Sequence, residues 1–274
     1  MSNEHRTVIV TGANRGIGLA TAIELAGAGF DVVGTTRDED KALELKAAAA
    51  EAGVESRTAV LDVTDEAACR ALIDRESPWG LVNNAGFAKT GSMLDVSDDE
   101  ARVQLETLVL APARLGRLAA KRMLEVGGGG RIVNISSVAA EISSPLLGWY
   151  QASKKALEGI SDAMRLELRA DGIDMVLVQP GVIETDIWAR SRDDADRETR
   201  YQTTTARWQK ATRVIEPYMS SPEAVARTVR GAMAAEHPND RYPVGLDAQL
   251  LSRVARFVPV SVTDAATRAL LGLR

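Results

Sequence analysis

What this chain lacks narrows its chemistry first. It carries one cysteine, Cys69, and two histidines, His5 and His237. A lone thiol excludes an internal disulfide and fits a reducing compartment, so a cytoplasmic setting is expected. So few imidazoles and thiols leave no His/Cys metal site. No stretch approaches the ~20 apolar residues of a membrane span. The opening residues 1–6 run directly into a strand pattern, with no apolar signal-peptide core. Basic charge is not in excess either: 33 Lys and Arg stand against 38 Asp and Glu, a net charge of −5. General nucleic-acid binding is therefore not expected. Any demanding chemistry falls to a bound organic cofactor or to Ser, Tyr, Lys and carboxylates.

What is present is an ordinary globular composition, 45% hydrophobic and 26% charged over 274 residues, enough for a sizeable core. The apolar runs alternate with helical periodicity. Strands are expected at residues 7–11, 31–36, 56–61, 79–83, 131–136 and 173–179. Helices are expected near 39–52, from Asp65 (N-capped by Thr64 or Asp65), over 98–125 and over 149–170. This alternation predicts an α/β fold, a doubly wound parallel sheet of right-handed βαβ units in a single domain spanning 1–274. Ligands of such sheets bind at the carboxyl ends of the strands. There lie Gly12, Asn14, Arg15, Gly16, Ile17 and Gly18, a glycine turn opening a helix and suited to a phosphate. Asp62, Asn84, Ser137 and Pro180-Gly181 lie at the same ends.

Past Gly181 the pattern changes. Residues 186–220, polar with scattered Trp188, Tyr201, Trp208 and Tyr218, read as a lid over the strand ends. Pro222 is placed at the first position of a helix capped by Ser221, and residues 241–245 form a candidate edge strand. The tail 247–274 mixes apolar residues with arginines and suits packing against the lid or a partner subunit better than a membrane surface.

Near the middle, Tyr150 and Lys154 stand four residues apart on an expected helix and so share a face. An ammonium beside a phenol favours the phenolate and lowers a pKa that is otherwise near ~10, which suits proton exchange with a substrate oxygen. Lys155 competes for the role, but a fifth residue falls ~140° away around the helix. Ser137, at the end of an apolar strand, offers a hydroxyl toward the same point.

With these residues placed, the chain resembles the short-chain dehydrogenase/reductase family over residues 7 to about 186. The motifs are Thr11-Gly12-x-x-x-Gly16-Ile17-Gly18, Asn83-Asn84-Ala85-Gly86, Ser137, Tyr150-x-x-x-Lys154 and Pro180-Gly181-x-x-x-Thr185. The resemblance implies a Rossmann-type fold, a nicotinamide cofactor and hydride transfer between a carbonyl and an alcohol. It implies that Tyr150 is the acid/base, that Lys154 holds the nicotinamide ribose and lowers the tyrosine's pKa, and that Ser137 orients the substrate oxygen. It places Asp62 and Val63 at the adenine. Asn84 falls at the ribose, Pro180, Gly181, Ile183 and Thr185 flank the nicotinamide, and Ala85, Gly86 and Ile135 are further cofactor-binding positions. Many relatives form dimers or tetramers; this sequence decides neither way.

Three further expectations concern specificity. The second strand ends in Thr35-Thr36-Arg37 without a carboxylate, and Arg15 lies in the glycine turn; two guanidiniums favour a 2′-phosphate and hence NADP(H) over NAD. The plainer alternative is that Arg37 pairs with Asp38, Glu39 or Asp40. The family's asparagine in the long helix is replaced by Leu108. The resemblance implies that this residue's carbonyl holds a water that relays protons to the lysine, and Pro112 cannot occupy that carbonyl with a helical N–H. The substrate is expected to be an apolar ketone, aldehyde or secondary alcohol, met by Ser137, Ala139, Glu141, Leu147, Trp149, Ile187 and Trp188. The competing reading is a degenerate member that binds NADP(H) and a partner with little turnover.

Overall fold

The computed structural model describes residues 6–183, 199–215, 219–254 and 257–273. Seven parallel strands form one sheet: β1 Thr7–Val10, β2 Asp31–Thr36, β3 Arg57–Val60, β4 Gly80–Asn83, β5 Gly130–Ile135, β6 Ile173–Pro180 and β7 Arg241–Val244. Their spatial order is β3-β2-β1-β4-β5-β6-β7. The order reverses between β1 and β4, the switch point at which doubly wound sheets open a crevice at their carboxyl ends. The sequence-derived strands all occur, trimmed or extended by a residue or two. The edge candidate pairs with β6 in register Leu177↔Arg241 to Pro180↔Val244, an edge being where Pro243 costs no ladder bond.

Both faces of the sheet are covered, so side chains alternate between two apolar layers rather than between core and water. Val8, Val10, Val82, Val133 and Val176 point into one layer; Ile9, Leu81, Ile132 and Met175 point into the other. The first layer is closed by α1 Gly16–Gly27 and α8 Pro222–Ala234, the second by α3 Glu66–Glu76 and α5 Ala111–Glu125. The other helices are α2 Glu39–Glu51, α4 Asp98–Leu105, α6 Gly148–Leu168, α7 Gln202–Ile215, α9 Leu246–Val254 and α10 Val260–Leu271. Helix starts follow local chemistry: the Asp65 side chain accepts from Ala68 N–H, and Ser221 caps α8 with Pro222 next in line.

The long helix expected over 98–125 is not uniform. Between α4 and α5, Glu106–Leu110 form a π turn. Pro112 supplies the reason: it has no N–H, and in regular α geometry its ring would strike the carbonyl of Leu108. A wider turn absorbs that conflict, and such turns recur at functional sites. Leu108 lies within it, 2% exposed.

Residues 202–215 of the stretch read as a lid form α7, whose Trp208 packs with Leu146, Leu147 and Leu271 of α10. Thr185, Ile187, Trp188 and Tyr218 lie outside the described residues. Among the described residues, no helix is long and apolar enough to cross a membrane, and no His/Cys/Asp/Glu group is arranged to hold a metal.

Candidate active site

The glycine turn leaves β1 at Thr11 and enters α1. Gly12 has φ 65° and Gly16 φ 53°, backbone that disfavours L side chains. Gly18 is required by proximity: a Cβ there would lie 2.2 Å from the Gly12 carbonyl oxygen and 2.4 Å from Asn84 Nδ2. The neighbouring strand end is latched to this turn. Thr11 Oγ1 accepts from the backbone N–H of Asn84 (2.9 Å) and of Ala85 (3.0 Å), and Asn84 Nδ2 donates to the carbonyls of Thr11 (2.9 Å) and Gly12 (3.1 Å). Strand pairing and these side chains together fix a concave backbone surface at the helix N-terminus, with no room for a Cβ. Such a cradle fits an anionic dinucleotide diphosphate.

One cleft beside this turn is lined by Ile17, Asn84, Gly86, Phe87, Leu108, Ile135, Ser136, Ser137, Tyr150, Lys154, Pro180, Gly181 and Ile183. The structure thus brings together the serine, tyrosine and lysine singled out by the sequence, with the expected ribose-side and nicotinamide-side positions. Leu108 takes its place in the same wall and packs on Gly86, where a Cβ would meet its Cδ2 at 2.6 Å. Phe87 and Ser136 are additional, and no spacing rule pointed to either. Among the expected substrate residues, Ser137 lines the cleft. Ala139, Leu147 and Trp149 are absent from its described lining; Leu147 belongs to the apolar cluster with Trp208. A helix start puts neighbouring residues on different faces, and sequence does not show which face meets the cleft.

The electrostatics correct one expectation. Lys154 was expected to lower the tyrosine's pKa. Instead, burial is the largest influence on Tyr150 and raises it, while a hydrogen bond with Ser137 works in the opposite direction. Lys154 Nζ lies 5.7 Å from the centre of the tyrosine ring and donates to the carbonyl of Ile135 at 2.8 Å. Its side chain is buried, and desolvation pulls its pKa down to about 8 against the pull of Glu158. Ser137 Oγ accepts from Ala139 N–H at 3.1 Å.

At the far end of the cleft side, Arg37 is exposed beyond β2. Of the carboxylates that could pair with Arg37 at the surface, Asp38 caps α2 and is paired with Lys41, and Arg37 acts on Asp38 and Asp62 through its field. Asp62 is held below the usual carboxylate range by Thr64, whose N–H and hydroxyl both donate to it (2.9 and 2.7 Å). Val63 is buried beside it. Asn14 and Arg15 lie in the glycine turn, Arg15 just before α1.

The Pro180-Gly181 loop is secured from far along the chain. Val182 N–H donates to Asp247 Oδ2 at 2.8 Å, and Gly181 N–H to the Val244 carbonyl at 2.9 Å. A Cβ on Gly181 would stand 2.1 Å from Asp247 Oδ2, so the glycine is what admits the carboxylate.

Comparison with known proteins agrees with this geometry. The family model described as short chain dehydrogenase matches residues 6–196. An NADPH-dependent 3-dehydrocapnine reductase of Ornithobacterium rhinotracheale is 32% identical over 273 residues, covering 94% of this chain and 95% of the relative. A metagenomic short-chain oxidoreductase solved with NADP has a TM-score of 0.69 at 26% identity, covering 88% of this chain and 97% of that one. A Burkholderia phymatum short-chain dehydrogenase/reductase solved with NAD has a TM-score of 0.80 at 24% identity over 93% of each chain, and shows the shared fold. With its family motifs gathered at one cleft, this chain belongs to the short-chain dehydrogenase/reductase family of oxidoreductases.

Proposed function

We propose that the protein is an NADP(H)-dependent oxidoreductase that interconverts a carbonyl, on an apolar ketone or aldehyde, with the corresponding alcohol. The observation that carries this reading is the meeting of Ser137, Tyr150 and Lys154 in one cleft beside the glycine turn. The turn and the start of α1 would hold the cofactor's diphosphate, and Arg37 its 2′-phosphate. Asn84, Ile135, Lys154, Pro180, Gly181 and Ile183 would surround the ribose and nicotinamide. The bound cofactor would supply or accept the hydride. Ser137 would orient the substrate oxygen by hydrogen bonding, and the Tyr150 hydroxyl would donate its proton there during reduction. Burial favours the neutral phenol, the form that carries the proton, while making it a weaker acid. Lys154, fixed on the Ile135 carbonyl, would supply positive charge beside the phenol and so stabilise negative charge on the tyrosine oxygen after transfer. Phe87, Leu108 and Ile183 give the cleft apolar walls, which favour an apolar substrate.

The NADP(H) preference rests on Arg37 and on the absence of a carboxylate at the end of β2, and the name of the NADPH-dependent relative supports it. Arg37→Ala is expected to weaken NADPH binding about ten-fold or more while leaving NADH binding nearly unchanged; ten-fold corresponds to about 1.4 kcal/mol. Fluorescence titration with both nucleotides checks this, and an equal effect on the two would remove the arginine from the 2′ position.

Leu108 is the observation favouring the second reading, a binding protein with little turnover. We expect proton supply to survive through its carbonyl, so Leu108→Asn should keep or raise kcat. A loss of about ten-fold or more, equivalent to ~1.4 kcal/mol of barrier, would instead show that the leucine side chain shapes the site. Consumption of reduced nicotinamide cofactor over a panel of ketones and aldehydes tests the proposal as a whole; no turnover with any of them favours the binding-only reading.

A further inference from the structure

Behind the reacting cleft lies a buried carboxylate to which the family motifs assign nothing. Glu158 sits on α6 two turns beyond Tyr150 and one beyond Lys154, and is 7% exposed. Its Oε1 accepts from Ser136 Oγ at 2.6 Å and from Gln179 Nε2 at 3.0 Å. Its Oε2 faces Arg241 NH2 of β7 at 3.6 Å, and that guanidinium is itself held by Asp162. Gln179 also reaches Glu141 at 3.3 Å. Ser136 immediately precedes Ser137, and Gln179 immediately precedes Pro180-Gly181. One carboxylate therefore joins the helix bearing the tyrosine and lysine to the two strand ends bearing the serine and the proline-glycine loop.

We propose that Glu158 is a positioning residue for this site: its buried carboxylate holds Lys154 as an ammonium and pins the ends of β5 and β6 to α6. The proposal rests on the oxidoreductase reading for its consequence and on the geometry for its existence. A buried lysine loses its proton readily unless negative charge lies near. Facing Lys154 are Tyr150 and Glu158 on its own helix. From the end of β5 come the Ile135 carbonyl and the hydroxyls of Ser136 and Ser137. Among these, Glu158 is the group whose charge favours the ammonium, against the desolvation that disfavours it. Arg241 lies against Oε2 of Glu158 and Glu141 shares Gln179 with it, with opposite signs. The paired hydrogen bonds to Oε1 fix the carboxylate so that its field falls on the lysine instead of relaxing away.

The test reads the lysine directly. The chain has seven lysines, so ε-13C-lysine labelling gives few resonances, and Lys154→Met assigns the one in the site. In the parent protein this resonance should titrate near 8, apart from the surface lysines near ~10.4. Glu158→Gln keeps the shape and the hydrogen-bond acceptor but removes the charge. It should move the midpoint to lower pH by about half to one unit. Glu158→Met, apolar and of similar length, provides the same reading should the glutamine variant fail to fold. An unchanged or higher midpoint in a folded variant overturns the proposal. In turnover, the alkaline limb of the kcat/KM profile should shift to lower pH by the same amount, a change that general loosening of the fold would not produce. A parent enzyme that reduces no carbonyl defeats the functional reading alone, because the titration needs no substrate.

Discussion

Tyr150→Phe is expected to lower kcat by roughly a thousand-fold while leaving NADPH binding within about three-fold of the parent. General acid–base catalysis by one placed group contributes on the order of 10² to 10⁴ in rate, and among the lining residues Tyr150 is the one suited to give a substrate oxygen its proton. Lys154 is turned to the Ile135 carbonyl, and Ser137 accepts from Ala139 N–H while touching the tyrosine hydroxyl. Neither replaces a phenol: a serine hydroxyl is too weak an acid, and the lysine ammonium is engaged by the Ile135 carbonyl. Phenylalanine keeps the ring and its packing, so loss of turnover with intact nucleotide binding isolates the proton. Single-turnover kinetics and a fluorescence titration on one preparation give both numbers. Turnover close to that of the parent would end the mechanism proposed above.

The second large effect is expected from a methyl group. Gly18→Ala should weaken nucleotide binding on the order of 100-fold, about 2.7 kcal/mol, and should lower the melting temperature as well. The added Cβ would sit 2.2 Å from the Gly12 carbonyl oxygen and 2.9 Å from its carbon. These are backbone atoms, so no side-chain rotation relieves the clash. Overpacking of this kind typically costs ~1–3 kcal/mol. Asn84 Nδ2, 2.4 Å from the same point, would be driven from its bonds to Thr11 and Gly12. The turn would then open where the diphosphate needs backbone N–H groups close by. Calorimetric titration with NADPH and a thermal melt check both halves; an alanine variant with parental affinity would show that the turn adapts and does not act as a fixed cradle.

Much of this architecture was legible from local signals. β1, the glycine turn and α1 follow from an apolar run and three glycines, and Ser221-Pro222 announced α8 through capping chemistry. The approach of Ser137 to Tyr150 and Lys154 followed from strand ends meeting at one edge of a parallel sheet. What stayed hidden depends on contacts between distant residues or on helix faces. The sequence places Pro112 four residues after Leu108, yet only the packed structure shows the conflict resolved by a π turn. The tyrosine's pKa was misjudged because charge proximity is visible in a spacing and burial is not. Ala139, Leu147 and Trp149, offered as substrate contacts, are absent from the described lining of the cleft, whereas Phe87, a loop residue that follows Asn83-Asn84-Ala85-Gly86, is in it. Glu158 had a readable signal, a third ionisable side chain at four-residue spacing on one helix face, but its partners Ser136, Gln179 and Arg241 come from just past β5, from β6 and from β7.

The carboxylate of Asp247 against Gly181 and Val182 bears on the order in which the chain is made. During synthesis the glycine turn, Asn84, Ser137, Tyr150, Lys154 and Pro180-Gly181 all leave the ribosome before α9. The loop expected to flank the nicotinamide nevertheless takes its anchor from α9's first turn and from the end of β7. A nascent chain that already carries all of these motif residues therefore still lacks the two bonds that anchor this loop, which form only once β7 and the first turn of α9 have been translated and have docked.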